Sequence, residues 1–250
     1  FMAKLDMFLD KPSDAPIKSL AHLLKNIPPA RLFEESLKLL QSGYGVKTYR
    51  LLRQYGLFEP LFPLLTPYFT EYEDSMTEKM ILRALTSTDE RVADKLPINP
   101  AFLFAAFFWY PLRERVEVLK NEGGLNNYDA YALASNDVLE QLCKSLAVPR
   151  RHTAVIREIW LLQLQFLKRT PKSVQRAIEQ AKFRAGFDLL VMRAEIEGGE
   201  AVELAAWWHE YQFSNETQRQ DLVKALPSQP KKRKYHRRKR HHSAKKVSHE

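Results

Sequence analysis

NPAFLFAAFFWYPL, Asn99 to Leu112, decides the fold class. Asn99 offers a side-chain oxygen to the free N–H groups of a helix start, and Pro100 follows where a missing N–H costs nothing. The ten residues from Ala101 to Tyr110 are apolar on every face, so the helix they form must be surrounded by protein. A membrane span needs about 20 such residues, and Pro111 stops this run far short of that.

A buried central helix needs amphipathic helices around it, and the flanking sequence supplies them. Upstream, Phe1 to Leu9 reads as the end of a helix, Lys11 to Pro16 as a break, and Ile17 to Lys25 as a short helix. Pro28-Pro29 opens a helix with Leu32, Ser36, Leu39 and Leu40 at helical spacing, which stops near Gly43 and Gly45. Val46 to Tyr55 follows as another short helix, and Pro60, Pro63 and Pro67 make a broken apolar connection. No element is assigned between Pro67 and Asn99.

Downstream, Glu122-Gly123-Gly124 ends the continuation of the central helix. Asn126 or Asn127 caps a helix through Cys143, Pro149 opens one through Leu167, and Thr170-Pro171 repeats the cap-plus-proline signal. Phe183, Phe187, Leu190, Val191 and Ala194 mark an amphipathic helix closed by Gly198-Gly199, and Glu200 to Phe213 carries Trp207, Trp208 and Tyr211. Long apolar/polar alternation is missing, so the expected fold is all-α, an irregular helical bundle without a fixed-period repeat.

The chain has 250 residues, 45% of them apolar, and one cysteine. That is enough apolar material for one large or two small domains, which excludes disorder throughout. A lone cysteine cannot form an internal disulfide, so a soluble protein of the reducing cytoplasm is expected. The chain begins in mid-pattern at Phe1 without an initiator methionine, and so reads as a fragment.

Its net charge of +9, from 39 Lys+Arg and 30 Asp+Glu, is unevenly placed. Ten of the bases fall after Pro230: Lys231, Lys232, Arg233, Lys234, Arg237, Arg238, Lys239, Arg240, Lys245 and Lys246, with Glu250 the one acid. The remaining 230 residues hold 29 bases and 29 acids. A cationic segment with so little to bury is expected to be a disordered tail. Within the neutral part, Arg150, Arg151, Arg157, Lys168, Arg169, Lys172, Arg176, Lys182 and Arg184 face only Glu158 and Glu179, a local net of +7. From Ala185 to Leu226 eight acids outnumber three bases.

Catalytic patterns are sparse. No glycine loop suited to a nucleotide phosphate occurs, and no Asp-x-Asp pair. His22, His152 and His209 have no second His or Cys at ligand spacing, and read as packing or surface residues. The pairs Glu71/Glu73 and Glu195/Glu197 point to different sides of a helix, and Cys143 sits on an apolar helix without a basic partner. Trp207, Trp208, Tyr211 and Phe213 fit either core packing or base stacking.

IPPARLFEESLKLLQSGYG (27–45), LPINPAFLFAAFFWYPL (96–112) and AKFRAGFDLLVMRAE (181–195) together resemble the bacterial poly(A) polymerases. These form the polyadenylating branch of the class II nucleotidyltransferases, whose relatives include the CCA-adding enzymes of tRNA. The resemblance implies a helical neck remainder at 1–45, a body at 46–148, a leg that binds RNA at 149–226, and a basic tail at 227–250. It implies that ATP and Mg²⁺ belong to a catalytic head that carries Asp-x-Asp and lies outside this chain, which is expected to hold no cofactor. The neck pattern Glu-Arg-x-x-x-Glu-Leu maps onto Arg31 and Glu35, with Ala30 in place of the acid, and an i, i+4 pair of this kind is worth about 0.2–0.5 kcal/mol if exposed. The expected partner is single-stranded RNA with a free 3′ end, with no membrane involved. The expected phosphate contacts are Arg150, Arg151, Lys168, Arg169, Lys172, Arg176, Lys182 and Arg184, joined by Lys231 to Lys234 and Arg237 to Arg240 in the tail. A CCA-adding parent and a non-catalytic RNA-binding module are the alternatives.

Overall fold

The computed structural model describes residues 1–226, and these are all helix, turn and loop. The basic tail lies outside the described residues.

The first helix, α1 (Met2–Leu5), is a single turn. The expected break at Lys11 to Pro16 is instead helix, because α2 spans Lys11–Leu20. Pro12 stands in the first turn, where an N–H has no helical partner to lose, and Pro16 gives up one bond inside the helix. The expected helix at Ile17 to Lys25 is therefore the end of α2 followed by a tighter 3₁₀ segment, Ala21–Asn26. Next come α3 (Pro29–Leu40) and α4 (Gly45–Gln54), as the sequence predicts. The proline-rich connection consists of α5 (Phe58–Leu61) and a 3₁₀ turn, Pro63–Tyr68.

An 18-residue helix, α6 (Met76–Ala93), fills the stretch that the sequence reading leaves unassigned. Ser75 caps it, accepting the Glu78 N–H through its hydroxyl. One of its side chains organises what precedes it: Asp89 accepts the free N–H groups of Gly45 (2.7 Å) and Val46 (3.1 Å), capping α4 from another helix. The approach leaves no room for a side chain at Gly45, where a Cβ would stand 2.7 Å from the Leu40 carbonyl oxygen and 3.0 Å from Leu85. Gly45→Ala is expected to cost about 1–3 kcal/mol through overpacking, read from the denaturant midpoint of unfolding.

The decisive stretch is buried as expected but is not one helix. α7 (Pro100–Phe107) stops at Phe108 and α8 (Trp109–Asn121) follows it. Pro111 explains the break, since it has no N–H to give the Phe107 carbonyl. The Asn99 cap holds, with its side chain accepting the Ala101 N–H at 3.0 Å.

α9 (Asn127–Leu146) follows the Asn126 cap, and α10 (Arg150–Phe166) crosses the central helix, its Trp160 indole donating to the Ala105 carbonyl at 2.9 Å. The chain then runs through α11 (Pro171–Ile178), α12 (Phe183–Glu197), α13 (Gly199–Phe213) and α14 (Glu216–Lys224).

Two apolar clusters hold these helices. The larger gathers residues from Leu32 to Trp160, together with Leu189 and Met192 of α12, around Phe104, Phe107, Phe108 and Trp109. The smaller, from Leu162 to Tyr211, centres on Phe166, Phe183 and Trp208. A buried polar seam joins them: Gln163 donates to the Gly186 carbonyl (2.8 Å) and accepts from Arg193 (3.0 Å), while Arg193 forks onto Glu197, which also accepts the Trp109 indole N–H (3.1 Å). With its partners present each polar group there is bonded, so the seam fixes how the two clusters sit without leaving an unpaired charge.

Candidate nucleic-acid interface

The predicted cations do not lie along one line. Arg150 and Arg151 are exposed in the first turn of α10, and the 17-residue helix puts them about 25 Å from Lys168 at its far end. No acid stands in that first turn, where the helix dipole would favour one. Two arginines there cost a little stability and leave the helix end ready to meet an external anion.

At the other end of α10, Lys168, Lys172 and Arg176 are exposed, and Arg169 and Lys182 are half-buried. Among the described residues none of these five has a carboxylate within ion-pair distance, nor do Arg150 and Arg151. Arg184 differs, since Asp188 one turn on pairs with it at 2.9 Å. Burial nevertheless holds the Asp188 carboxyl above its ordinary value, against the pull of Arg184 and Arg91. Arg157 donates to Asn136 at 2.9 Å.

Lys168 and Arg176 share a groove of about 580 Å³ between the start of α9, the end of α10 and α11. Leu161, Leu164 and Leu167 give it an apolar lining, and Tyr128 stands at its edge with 63% of its surface exposed. Charge counting along the chain does not find Tyr128, which lies before the basic stretch and is separated along the chain from Lys168 and Arg176. The available signal is its place just after the Asn126 cap, whose side chain accepts the Tyr128 and Asp129 N–H groups at 3.0 and 3.1 Å.

The aromatic cluster on α13 divides between the two readings. Trp208 is fully buried, with its indole donating to the Phe166 carbonyl at 3.1 Å, and Tyr211 is buried beside it. Those two are core. Trp207 is half-buried with the Arg169 guanidinium 5.5 Å from its ring, and Phe213 is 74% exposed. Cys143 rests against the Val148 carbonyl, and burial pushes its thiol up, so it is a poor nucleophile.

Arg31 and Glu35 share the exposed face of α3, but Glu35 bonds Lys38 at 2.9 Å, and this bond holds its carboxyl below the usual value. The Arg31–Glu35 pair of the neck pattern is therefore not formed, because Lys38 sits one turn from the same carboxylate. Arg31, Lys18 and Lys25 are exposed and without a carboxylate partner among the described residues. A second groove, about 490 Å³, is of opposite character, with Glu114, Asp137 and Glu140 in its wall. Among the described residues no three His, Cys, Asp or Glu side chains are grouped to hold a metal ion, and no helix is long and apolar enough to cross a membrane.

Fold and surface together describe an all-α unit with a cationic face edged by aromatic side chains. Comparison with known sequences says of which kind. Residues 123–242 match the family described as "Polymerase A arginine-rich C-terminus", and residues 6–69 match "Probable RNA and SrmB-binding site of polymerase A". The chain is 73% identical over 243 residues to Poly(A) polymerase I of Haemophilus influenzae, an alignment spanning 96% of this chain and 54% of that protein. It is 50% identical to the Poly(A) polymerase I of Salmonella typhimurium over 94% of this chain and 50% of the relative, and 49% identical to that of Escherichia coli O157:H7 over 96% and 52%. The chain belongs to the poly(A) polymerase family, and it spans about half the length of the curated relatives it matches. The residues 6–69 match falls on a segment where the sequence reading offers Arg31 and Glu35 as candidate site residues.

Proposed function

We propose that this chain holds RNA for a cytoplasmic polynucleotide adenylyltransferase, which adds AMP from ATP to RNA 3′ ends in mRNA processing and decay. One observation carries the reading: the cations around the α10–α11 junction are solvent-facing and unmatched by carboxylates among the described residues, on a chain whose relatives are named Poly(A) polymerase I. A cluster of exposed cations without ion-pair partners raises the local positive potential and attracts anions, even with Glu179 exposed nearby.

An enzyme that accepts many 3′ ends needs affinity without sequence preference, and phosphate contacts provide that. Arg150 and Arg151 would bind phosphates at one end of α10, with Lys168, Lys172, Arg176 and Lys182 doing so at the other. Lys18, Lys25 and Arg31, within the residues 6–69 match, would extend the track. Phosphate binding at Arg184 would compete with Asp188. ATP and Mg²⁺ would be held by a catalytic head of the kind the family resemblance implies, and no chemical step is assigned to them.

The test uses the protein that contains this chain. Given ATP alone and an RNA with a free 3′-hydroxyl, it is expected to add a long adenylate tail. Addition that stops after CCA and requires tRNA would replace the reading with a CCA-adding enzyme.

A further inference from the structure

We infer that the groove between α9, α10 and α11 seats one unstacked base of single-stranded RNA against Tyr128, with the flanking phosphates on Lys168 and Arg176. The inference rests on the RNA-holding reading and adds to it a site that recognises a base rather than charge alone.

Tyr128 is the starting point. Its backbone is fixed by the Asn126 cap, so its ring is carried by an ordered helix start rather than by a loose loop. Even so, most of its surface faces water. An aromatic ring held in place at the rim of an apolar groove offers a flat face for stacking, with Leu164 and Leu167 continuing the surface. At about 580 Å³ the space falls within the ~300–1,000 Å³ of small-molecule sites.

Charge decides what kind of occupant fits. Lys168 and Arg176 stand in the groove wall, with Lys172 and Arg169 close by along the chain, and none has a carboxylate partner among the described residues. The occupant must therefore combine a flat apolar face with negative charge on either side of it. A nucleotide within a single strand has that form: the base stacks on the tyrosine while the phosphates before and after it reach the two cations. Every base has a π-face, so such a seat is tolerant of sequence and suits a strand whose end is to be extended.

The experiment titrates the whole 250-residue chain with oligoadenylate carrying the fluorescent base 2-aminopurine at successive positions, for the unmodified chain, Tyr128→Ala, Tyr128→Phe, Lys168→Gln and Arg176→Gln. The unmodified chain is expected to quench the probe at one position, and Tyr128→Ala to abolish that quenching. The same substitution should weaken binding by about 5- to 150-fold, the loss of one base–aromatic stack, without changing the salt slope, while Tyr128→Phe keeps both signals. Lys168→Gln and Arg176→Gln are each expected to make the salt slope shallower. Because Tyr128 is largely exposed, Tyr128→Ala should keep its circular dichroism and unfolding midpoint. Unaltered RNA affinity and quenching in Tyr128→Ala, alongside weaker binding in the two cation variants, would overturn the base seat and leave the RNA-holding reading intact. Salt-independent or absent RNA binding by the unmodified chain, or capture of an acidic peptide in preference to RNA, would overturn both.

Discussion

Glu78→Ala is expected to lower the stability of this chain by about 3–5 kcal/mol, the cost of leaving a buried charge without its partner. Glu78 is fully buried at the start of α6, and its carboxylate accepts from Arg53 (2.8 Å), from the Thr70 N–H (2.9 Å) and from the Thr70 hydroxyl (2.8 Å). Arg53 in turn bonds Glu59 (3.1 Å) and the Tyr49 hydroxyl (2.9 Å) and lies 3.8 Å from the centre of the Phe69 ring. Removing Glu78 therefore leaves a half-buried guanidinium with one weaker carboxylate and releases the connection between α4, the proline-rich turn and α6. Denaturant unfolding measures the loss. Combining it with Arg53→Ala should recover part of the cost, because the two residues share one interaction.

The same network makes stability depend on pH with a defined sign. Burial works to raise the carboxyl pKa of Glu78, but the bonds from Arg53 and Thr70 outweigh it and hold the group below its ordinary value of 4.5. Glu197 behaves alike: burial opposes its charge, and Arg193 and Trp109 more than compensate. A carboxyl depressed in the folded state stabilises at pH above its unfolded value, and that contribution is lost as pH falls through the folded one. The unfolding midpoint of the unmodified chain is thus expected to drop steeply below about pH 4.5, and Glu78→Gln to blunt that drop. Asp188, raised by burial, acts in the opposite sense and only moderates the slope.

Local chemistry explains which parts of this architecture are legible in the sequence. Asn99-Pro100, Asn126 and Thr170-Pro171 act through atoms within three residues of one another, and each starts its helix as read. Gly198, with φ of 68°, supplies the backbone turn between α12 and α13 for the same local reason. Proline misleads in both directions when it is treated only as a breaker: α2 contains Pro12 and Pro16, whereas Pro111 interrupts a run that its apolar composition presents as one helix. The start of α6 carries a Ser-x-x-Glu pattern at Ser75 and Glu78, a capping-box signature that is readable but easily overlooked between two weakly patterned segments.

The interface is legible in its charge and hidden in its shape. Lys168 and Arg176 stand out because the basic stretch has few acids. Tyr128 joins them only because α9 packs beside α10, a tertiary contact that no local pattern encodes. The aromatic cluster on α13 makes the converse point, since four residues of similar appearance divide into two core members, one half-buried ring beside Arg169 and one exposed ring.

In the function proposed above, RNA is held by a folded cationic face, with the tail as a second and separable contact. This arrangement is tested most directly by measuring the affinity for single-stranded RNA across a salt series for three proteins: the unmodified chain, a chain ending at residue 226, and Lys168→Gln/Arg169→Gln/Lys172→Gln/Arg176→Gln. With a log–log slope of about −0.7 per phosphate contact, the fourfold variant is expected to be shallower by up to about 2.8, and loss of the tail shallower by about 3.5 if five of its eight expected cations contact phosphate. A fourfold variant that keeps the slope and affinity of the unmodified chain would contradict the account, because the folded face would then make no phosphate contacts.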